Sequence, residues 1–271
     1  MKKSIIIFLA ILLCAPLLCS PARAQEIPAA NGNQPLEITA DETLEWHRAD
    51  HQYIARGNVV AKQGDVEIRA DVLTADYRET ASSSFDIYRL SADGNVAISS
   101  QGNVAKGDKA VYDVAAGHAV ITGQKLTLTS PDQTVTARDS FEYSVTDGRL
   151  SASGDAYVVR GGDTMRADTV AAIFAQDAAG QRKLKELTAD GNVIITTPDE
   201  TLRGANGRYN AGTDIAELTG SVKIERGPNV LEGERAEVNL TTNVSKMTGS
   251  PAQGGRVRGV FYPGSATAPK K

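Results

Sequence analysis

The chain has 271 residues, is 41% hydrophobic and 23% charged, carries a formal charge of −4 and contains two cysteines. That acidic balance argues against nucleic-acid binding, which needs a basic face. Beyond the N-terminal segment no apolar run approaches the roughly 20 residues that a membrane-spanning helix requires.

In chain order, residues 1–24 (MKKSIIIFLAILLCAPLLCSPARA) read as a cleaved signal peptide: basic Lys2 and Lys3, an apolar run from Ile5 to Cys14, and Ala22-Arg23-Ala24 as the cleavage signal. An uncleaved anchor is the alternative. Leu13 and Leu18 stand before Cys14 and Cys19 where a lipoprotein signal has small residues. Both cysteines lie in this segment, so disulfides and thiol chemistry are not expected after cleavage. Lys2, Lys3 and Arg23 leave with it, which takes the charge from −4 to −7. Export implies the periplasm or the exterior. Residues 25–35 follow as a flexible segment. Residues 36–250 are expected to form one β domain with an internal duplication, and 251–271 a C-terminal strand with a disordered tail.

The duplication is visible in a short phrase. SADGNVAI (91–98) returns as TADGNVII (188–195), 97 positions later, and IRADVLTADY (68–77) aligns at the same offset with MRADTVAAIF (165–174). Two landmarks alternate seven times along 36–250. One is an apolar residue, a spacer, then Ala or Gly, as in Ile68-Arg69-Ala70. The other is a glycine that usually leads into a β-branched residue: Gly57, Gly94, Gly123, Gly154, Gly191, Gly220, Gly249. Flanking residues alternate apolar and polar, the two-residue period of a half-buried strand. Turn signals such as Gln63-Gly64-Asp65, Gly161-Gly162-Asp163 and Gly227-Pro228-Asn229 recur at strand length. Two longer units carry apparent loop insertions, RETASSSFDIYR (78–89) and QDAAGQRKLKE (176–186).

Small residues in mid-strand mark bends or bulges. Each unit is therefore expected to be a pair of antiparallel strands bent near the centre, with the bends stacked in register. The fold class that follows is all-β, a bent antiparallel β-jellyroll: two facing sheets in a V, built from about seven repeated strand pairs. ADGNV reads as a structural corner, not a catalytic aspartate. The inward set is Ile38, Leu44, Val59, Ile68, Leu73, Val96, Ile98, Val193, Ile195, Val222 and Ile224. Small inward residues, among them Ala61, Ala70, Ala105, Ala156, Ala167 and Ala172, fill space poorly and suit a groove. A dry closed core stays open as the alternative.

Constellations for chemistry are missing. His47 and His51 bracket an expected turn, and His118 lies in another without an obvious partner; none has metal-ligand spacing. The carboxylates alternate with apolar residues as solvated faces do. No enzyme activity, cofactor or metal is expected. Arg182, Lys183 and Lys185 form a short basic cluster, either solvated or placed to meet phosphate groups.

The pattern of IRADVLTADY followed by LSADGNVAI, with YIARGNVVAKQGDVEIRAD just upstream, resembles the LptA/OstA family of periplasmic lipopolysaccharide-transport proteins, across roughly residues 36–250. The resemblance implies a bent β-jellyroll whose apolar interior takes lipid A acyl chains. The inward set above, with Met165, would line that groove, and Arg182, Lys183 and Lys185 would meet lipid phosphates. It also implies partners: an inner-membrane LptC-like component, an outer-membrane LptD-like translocon, and further copies of the chain added head to tail through the strands at 36–46 and 255–262. A structural β-repeat surface or adhesive protein with a closed core is the alternative function.

Overall fold

A computed structural model describes residues 35–80, 83–177, 182–242, 244–250 and 255–262; for 80, 83–85 and 182 only the backbone is described. The expected signal peptide, nearly all of the 25–35 segment and most of the C-terminal tail lie outside the described residues. Among the described residues every regular element is a strand.

The strands fall into two compact units, one from described residues within Ala22–Gly154 and Ala175–Arg182, the other from those within Asp155–Phe174 and Lys183–Lys271. The first holds β1 (Glu37–Thr39), β2 (Thr43–His47), β3 (Gln52–Gln63), β4 (Val66–Thr80), β5 (Ser83–Ser100), β6 (Asn103–Asp113), β7 (His118–Thr122), β8 (Leu126–Thr129), β9 (Gln133–Ala137), β10 (Ser140–Ser144) and the start of β11 (Arg149–Arg160). β3 to β6 form an antiparallel meander. β1 and β2 both pair with β3, and β7 and β8 both pair with β6. The second unit holds the rest of β11, then β12 (Asp163–Gln176), β13 (Arg182–Thr196), β14 (Thr201–Asn210), β15 (Ile215–Arg226), β16 (Asn229–Asn239), β17 (Val244–Thr248) and β18 (Arg258–Val260). β13 to β16 are again a meander, with β17 and β18 side by side along β16.

The long strands bend where the repeated phrase sits. Pairing of β5 with β6 slips between Asp93 and Val96, and that of β13 with β14 between Asp190 and Val193. At the slip two successive residues are left-handed: Gly94 (φ 79°) with Asn95 (47°), and Gly191 (78°) with Asn192 (50°). Only glycine adopts the first of these readily, and asparagine is among the few residues that tolerate the second. The asparagine then secures the corner. Asn95 Nδ2 donates to Asp71 Oδ2 on β4 at 2.9 Å, and Asn192 Nδ2 to Asp168 Oδ2 on β12 at 3.0 Å. A Cβ on Gly94 would stand 2.2 Å from Asp71 Oδ2, and one on Gly191 2.1 Å from Asp168 Oδ2. Asp71 and Asp168 end the repeated R-A-D triplets. The two landmarks of the repeat are thus the two sides of one corner, on neighbouring strands.

Beyond each corner the side chains of one face point inward. Val96 and Val193, the first residues after the corners, are each 1% exposed, and Val59, Met165 and Val222 are as deeply buried. Within each unit, strands with one buried face must pack onto one another along the bends, because no helix covers them among the described residues. Packing there is tight. A Cβ on Gly107 would meet Ile121 Cγ2 at 2.6 Å and Leu126 Cδ2 at 3.0 Å. Replacing the fully buried Leu126 by alanine is expected to cost about 3 kcal/mol by transfer and cavity terms, read from the midpoint of urea unfolding.

Three sequence expectations need correction. The two insertions are mostly not loops: β4 and β5 run on past the interior as a hairpin, with Arg78 opposite Asp86 and Thr80 opposite Ser83, and residues 182–186 lie in β13. Most of their charged residues sit on strands, with exposed Lys183 and Lys185 alternating with half-buried Leu184 and Glu186. Strands are also not all continuous through the bend; β1/β2, β7/β8, β9/β10 and β17/β18 are interrupted there. Gly249, the seventh landmark, follows β17 outside any strand.

Candidate functional site

The inward face is the candidate site, and register fixes its membership. In the first unit Ile38, Ala61, Ile68, Ile98, Ala105 and Leu128 are successive cross-strand neighbours on one side of the corner. Leu44, Ala55, Leu73, Ala92, Ala110 and Ile121 are such neighbours on the other. In the second unit Ile195, Leu202, Ile224 and Leu231 form the corresponding row. Cross-strand neighbours share a face, so each row is a continuous apolar strip; the two rows of the first unit intersperse alanines with larger residues, and the row of the second unit holds only Ile and Leu.

Burial of the inward face is uneven. Val59, Leu73, Val96, Met165, Val193, Ile195 and Val222 are buried, as are Ala61, Ala70, Ala156, Ala167 and Ala172. Ile38, Ile68, Ile98, Ala105 and Ile224 are half-buried, so the first unit leaves Ile68 and Ile98 less covered than their second-unit counterparts Met165 and Ile195. Leu44 departs from its expected burial: it lies on the inward face, opposite Ala55, but is 61% exposed. The reason is its place on β2, which pairs on one side only among the described residues.

The outer face is polar and paired. Exposed ion pairs include Lys109 with Asp93 at 2.7 Å, Arg208 with Glu186 at 2.8 Å and Arg235 with Glu217 at 2.8 Å. Each is worth little in water. A shallow open depression bounded by Glu186, Asp190, Asn206, Arg208 and Glu217 lies on this solvated face. Lys183 and Lys185 are exposed near the start of β13, and Arg182 opens that strand. His47 Nε2 lies 2.7 Å from Glu45 Oε2 on β2, which helps hold the Glu45 carboxyl below its usual range. No cluster of three or more potential metal ligands occurs among the described residues.

Sequence reasoning missed an aromatic group at the β2 edge. Trp46 stacks on Tyr53 at 5.5 Å and donates from Nε1 to Tyr77 Oη at 2.8 Å, while the Arg48 guanidinium lies 3.9 Å from the Trp46 ring centre. Trp46 is still 44% exposed. Its partners come from two further strands, β3 and β4, and from the turn after β2, so no local spacing announces the cluster. At the other sheet edge, in the second unit, Val244, Phe261 and Tyr262 are also exposed.

Bent antiparallel strands with a polar outer face and an apolar inward face define an all-β protein with an apolar interior. The chain belongs to the family described as LptA/(LptD N-terminal domain) lipopolysaccharide transport protein, whose model matches residues 37–139 and again 137–244. Among solved structures it is similar to LptH of Pseudomonas aeruginosa, described as the LptA-homologous periplasmic component of the lipopolysaccharide transport device. That similarity is at 12% identity and a TM-score of 0.21, over 85% of this chain and 96% of that one. No curated protein matches.

Proposed function

We propose that this protein is a periplasmic lipopolysaccharide carrier and not an enzyme. Lipid A acyl chains lie along the inward face, and copies of the chain add head to tail into a bridge between an LptC-like inner-membrane component and an LptD-like outer-membrane translocon. The observation that carries the reading is the half-buried apolar row at Ile68 and Ile98 in the first unit, with the half-buried Ile224 in the row of the second, set beside membership of a lipopolysaccharide-transport family. Acyl chains in water cost about 0.8 kcal/mol per exposed CH₂, and such a strip removes that cost without any bond being made or broken. The reading also takes residues 1–24 as a cleaved export signal, 36–250 as the lipid-binding region, and Lys183 and Lys185 as groups near lipid phosphates.

Native mass spectrometry of protein purified gently from the periplasm of a Gram-negative host tests the carrier. Adducts with lipopolysaccharide masses are expected. A folded protein that stays lipid-free when offered purified lipopolysaccharide would overturn the reading in favour of a structural repeat protein.

For assembly, β1 and β2 in one unit and β17 and β18 in the other offer backbone groups that a second chain's strand can pair with. A contact between unlike edges grows as a filament. The exposed Leu44 and Trp46 would be covered in it. Changing both to aspartate is expected to hold the protein monomeric at concentrations where the wild type's light-scattering mass rises, with circular dichroism unchanged.

A further inference from the structure

The two copies of the repeat differ at the rim of the inward face. Counting in twos outward from apolar inward residues places Gln63, Val66, Ser100, Asn103 and Ser130 at the rim of the first unit, all uncharged. The same counting in the second unit gives Arg160 beyond Val158, Asp163 before Met165, Thr197 beyond Ile195, Glu200 before Leu202, Arg226 beyond Ile224 and Asn229 before Leu231; of these Arg160, Asp163, Glu200 and Arg226 are charged. Three of these charged residues stand 97 positions from Gln63, Val66 and Asn103. The first unit closes its rim with a neutral hydrogen bond, Ser130 Oγ to Asn103 Oδ1 at 2.7 Å. The fold therefore does not need charge there.

In the second unit Arg226 Nη2 stands 3.4 Å from Glu200 Oε2, longer than the 2.7–2.9 Å of a strong charge-assisted bond. The Glu200 side chain is 3% exposed and that of Arg226 36%. Arg226 Nε is buried and makes no hydrogen bond. Burial raises the Glu200 carboxyl, and the Arg226 charge opposes that rise. A buried ion pair with imperfect geometry adds little stability over a neutral pair. Its cost is better explained by a ligand that makes the missing contacts.

We propose that the inward rim of the second unit binds the phosphate of an amphiphile whose chains occupy the interior, with Arg226 as the phosphate-binding group and Glu200 as the neighbour it exchanges for ligand. This rests on the carrier reading and adds a headgroup site to it, one that lies beside the apolar strip at Ile224. Guanidinium suits phosphate because its planar donors can bind two oxygens at once.

The test compares lipid A, the same lipid with its phosphates removed, and inorganic phosphate, each titrated against the full protein and two variants. Arg226→Gln is expected to weaken lipid A binding about tenfold, the loss of one charged hydrogen bond, and to leave dephosphorylated lipid unchanged. Glu200→Gln is expected to tighten lipid A binding by removing the competing carboxylate. Equal weakening of both lipids by Arg226→Gln, no effect of it, or weaker lipid A binding in Glu200→Gln would overturn the proposal. So would inorganic phosphate competing as well as lipid A does. If Arg226→Gln unfolds, the Arg226→Gln/Glu200→Gln pair keeps the rim neutral and answers the same question. Wild-type protein that binds neither lipid would instead sink the carrier reading itself.

Discussion

Gly94→Val is expected to destabilise the first unit by about 4 kcal/mol, the range reached by strain at a special backbone conformation combined with a steric clash. Gly94 has φ 79°, a conformation that a β-branched residue essentially never adopts. Its Cβ would stand 2.2 Å from Asp71 Oδ2, and that carboxylate cannot retreat without releasing Asn95. Gly161→Val is the matched control: φ is +58° but nothing lies within 4 Å of the added Cβ, so only the left-handed penalty, about 1–2 kcal/mol and somewhat more for a branched side chain, applies. Urea denaturation of both variants measures the difference. Equal losses at the two positions would mean that the corner is not clamped by its aspartate, and that the repeated phrase needs another explanation.

The second large effect is functional. Ile98→Asp is expected to abolish lipid capture while the protein stays folded. Ile98 is half-buried between Ile68 and Ala105 on the inward face, so a carboxylate there can turn toward water and remain ionised. In a groove filled by acyl chains the same group would be stripped of water beside hydrocarbon, at a cost of several kcal/mol. The contrast is Val96, two residues nearer the corner and 1% exposed. Val96→Asp should unfold the unit outright, because no water reaches that position. Lipid adducts in the native mass spectrum and the thermal midpoint separate the two outcomes. Undiminished lipid on folded Ile98→Asp would place the chains elsewhere.

The alternation of Val66-Glu67-Ile68-Arg69-Ala70 was enough to read strands, and the 97-residue repeat enough to read corners, because both are local and periodic. Hairpin turns at Gly64, Gly102 and Gly227 followed for the same reason. The corner's chemistry was only half legible. Gly94 could be read as a bend, but its clamp to Asp71 joins residues on neighbouring strands, and no spacing within one strand reveals it. Hydrophobicity placed Leu44 on the correct face and could not show that β2 is an edge, since exposure there depends on a neighbour that is or is not present. The polar composition of 176–186 suggests a loop, but Leu184, half-buried between exposed Lys183 and Lys185, follows the two-residue period of a strand, a signal too short to outweigh the composition. The rim pair Arg226 and Glu200 went unseen because its residues are 26 positions apart and each alone resembles a solvated strand end.

Adjacent residues on one strand point to opposite faces, and this gives the most direct test of the central claim. A photo-crosslinking side chain placed at Ile98 and, separately, at Ala97 would be activated in cells making lipopolysaccharide. The carrier account predicts a lipopolysaccharide adduct from position 98, on the inward face, and none from position 97, on the outward face. Adducts from both positions, or from 97 alone, would contradict the claim that acyl chains travel inside the bent sheet.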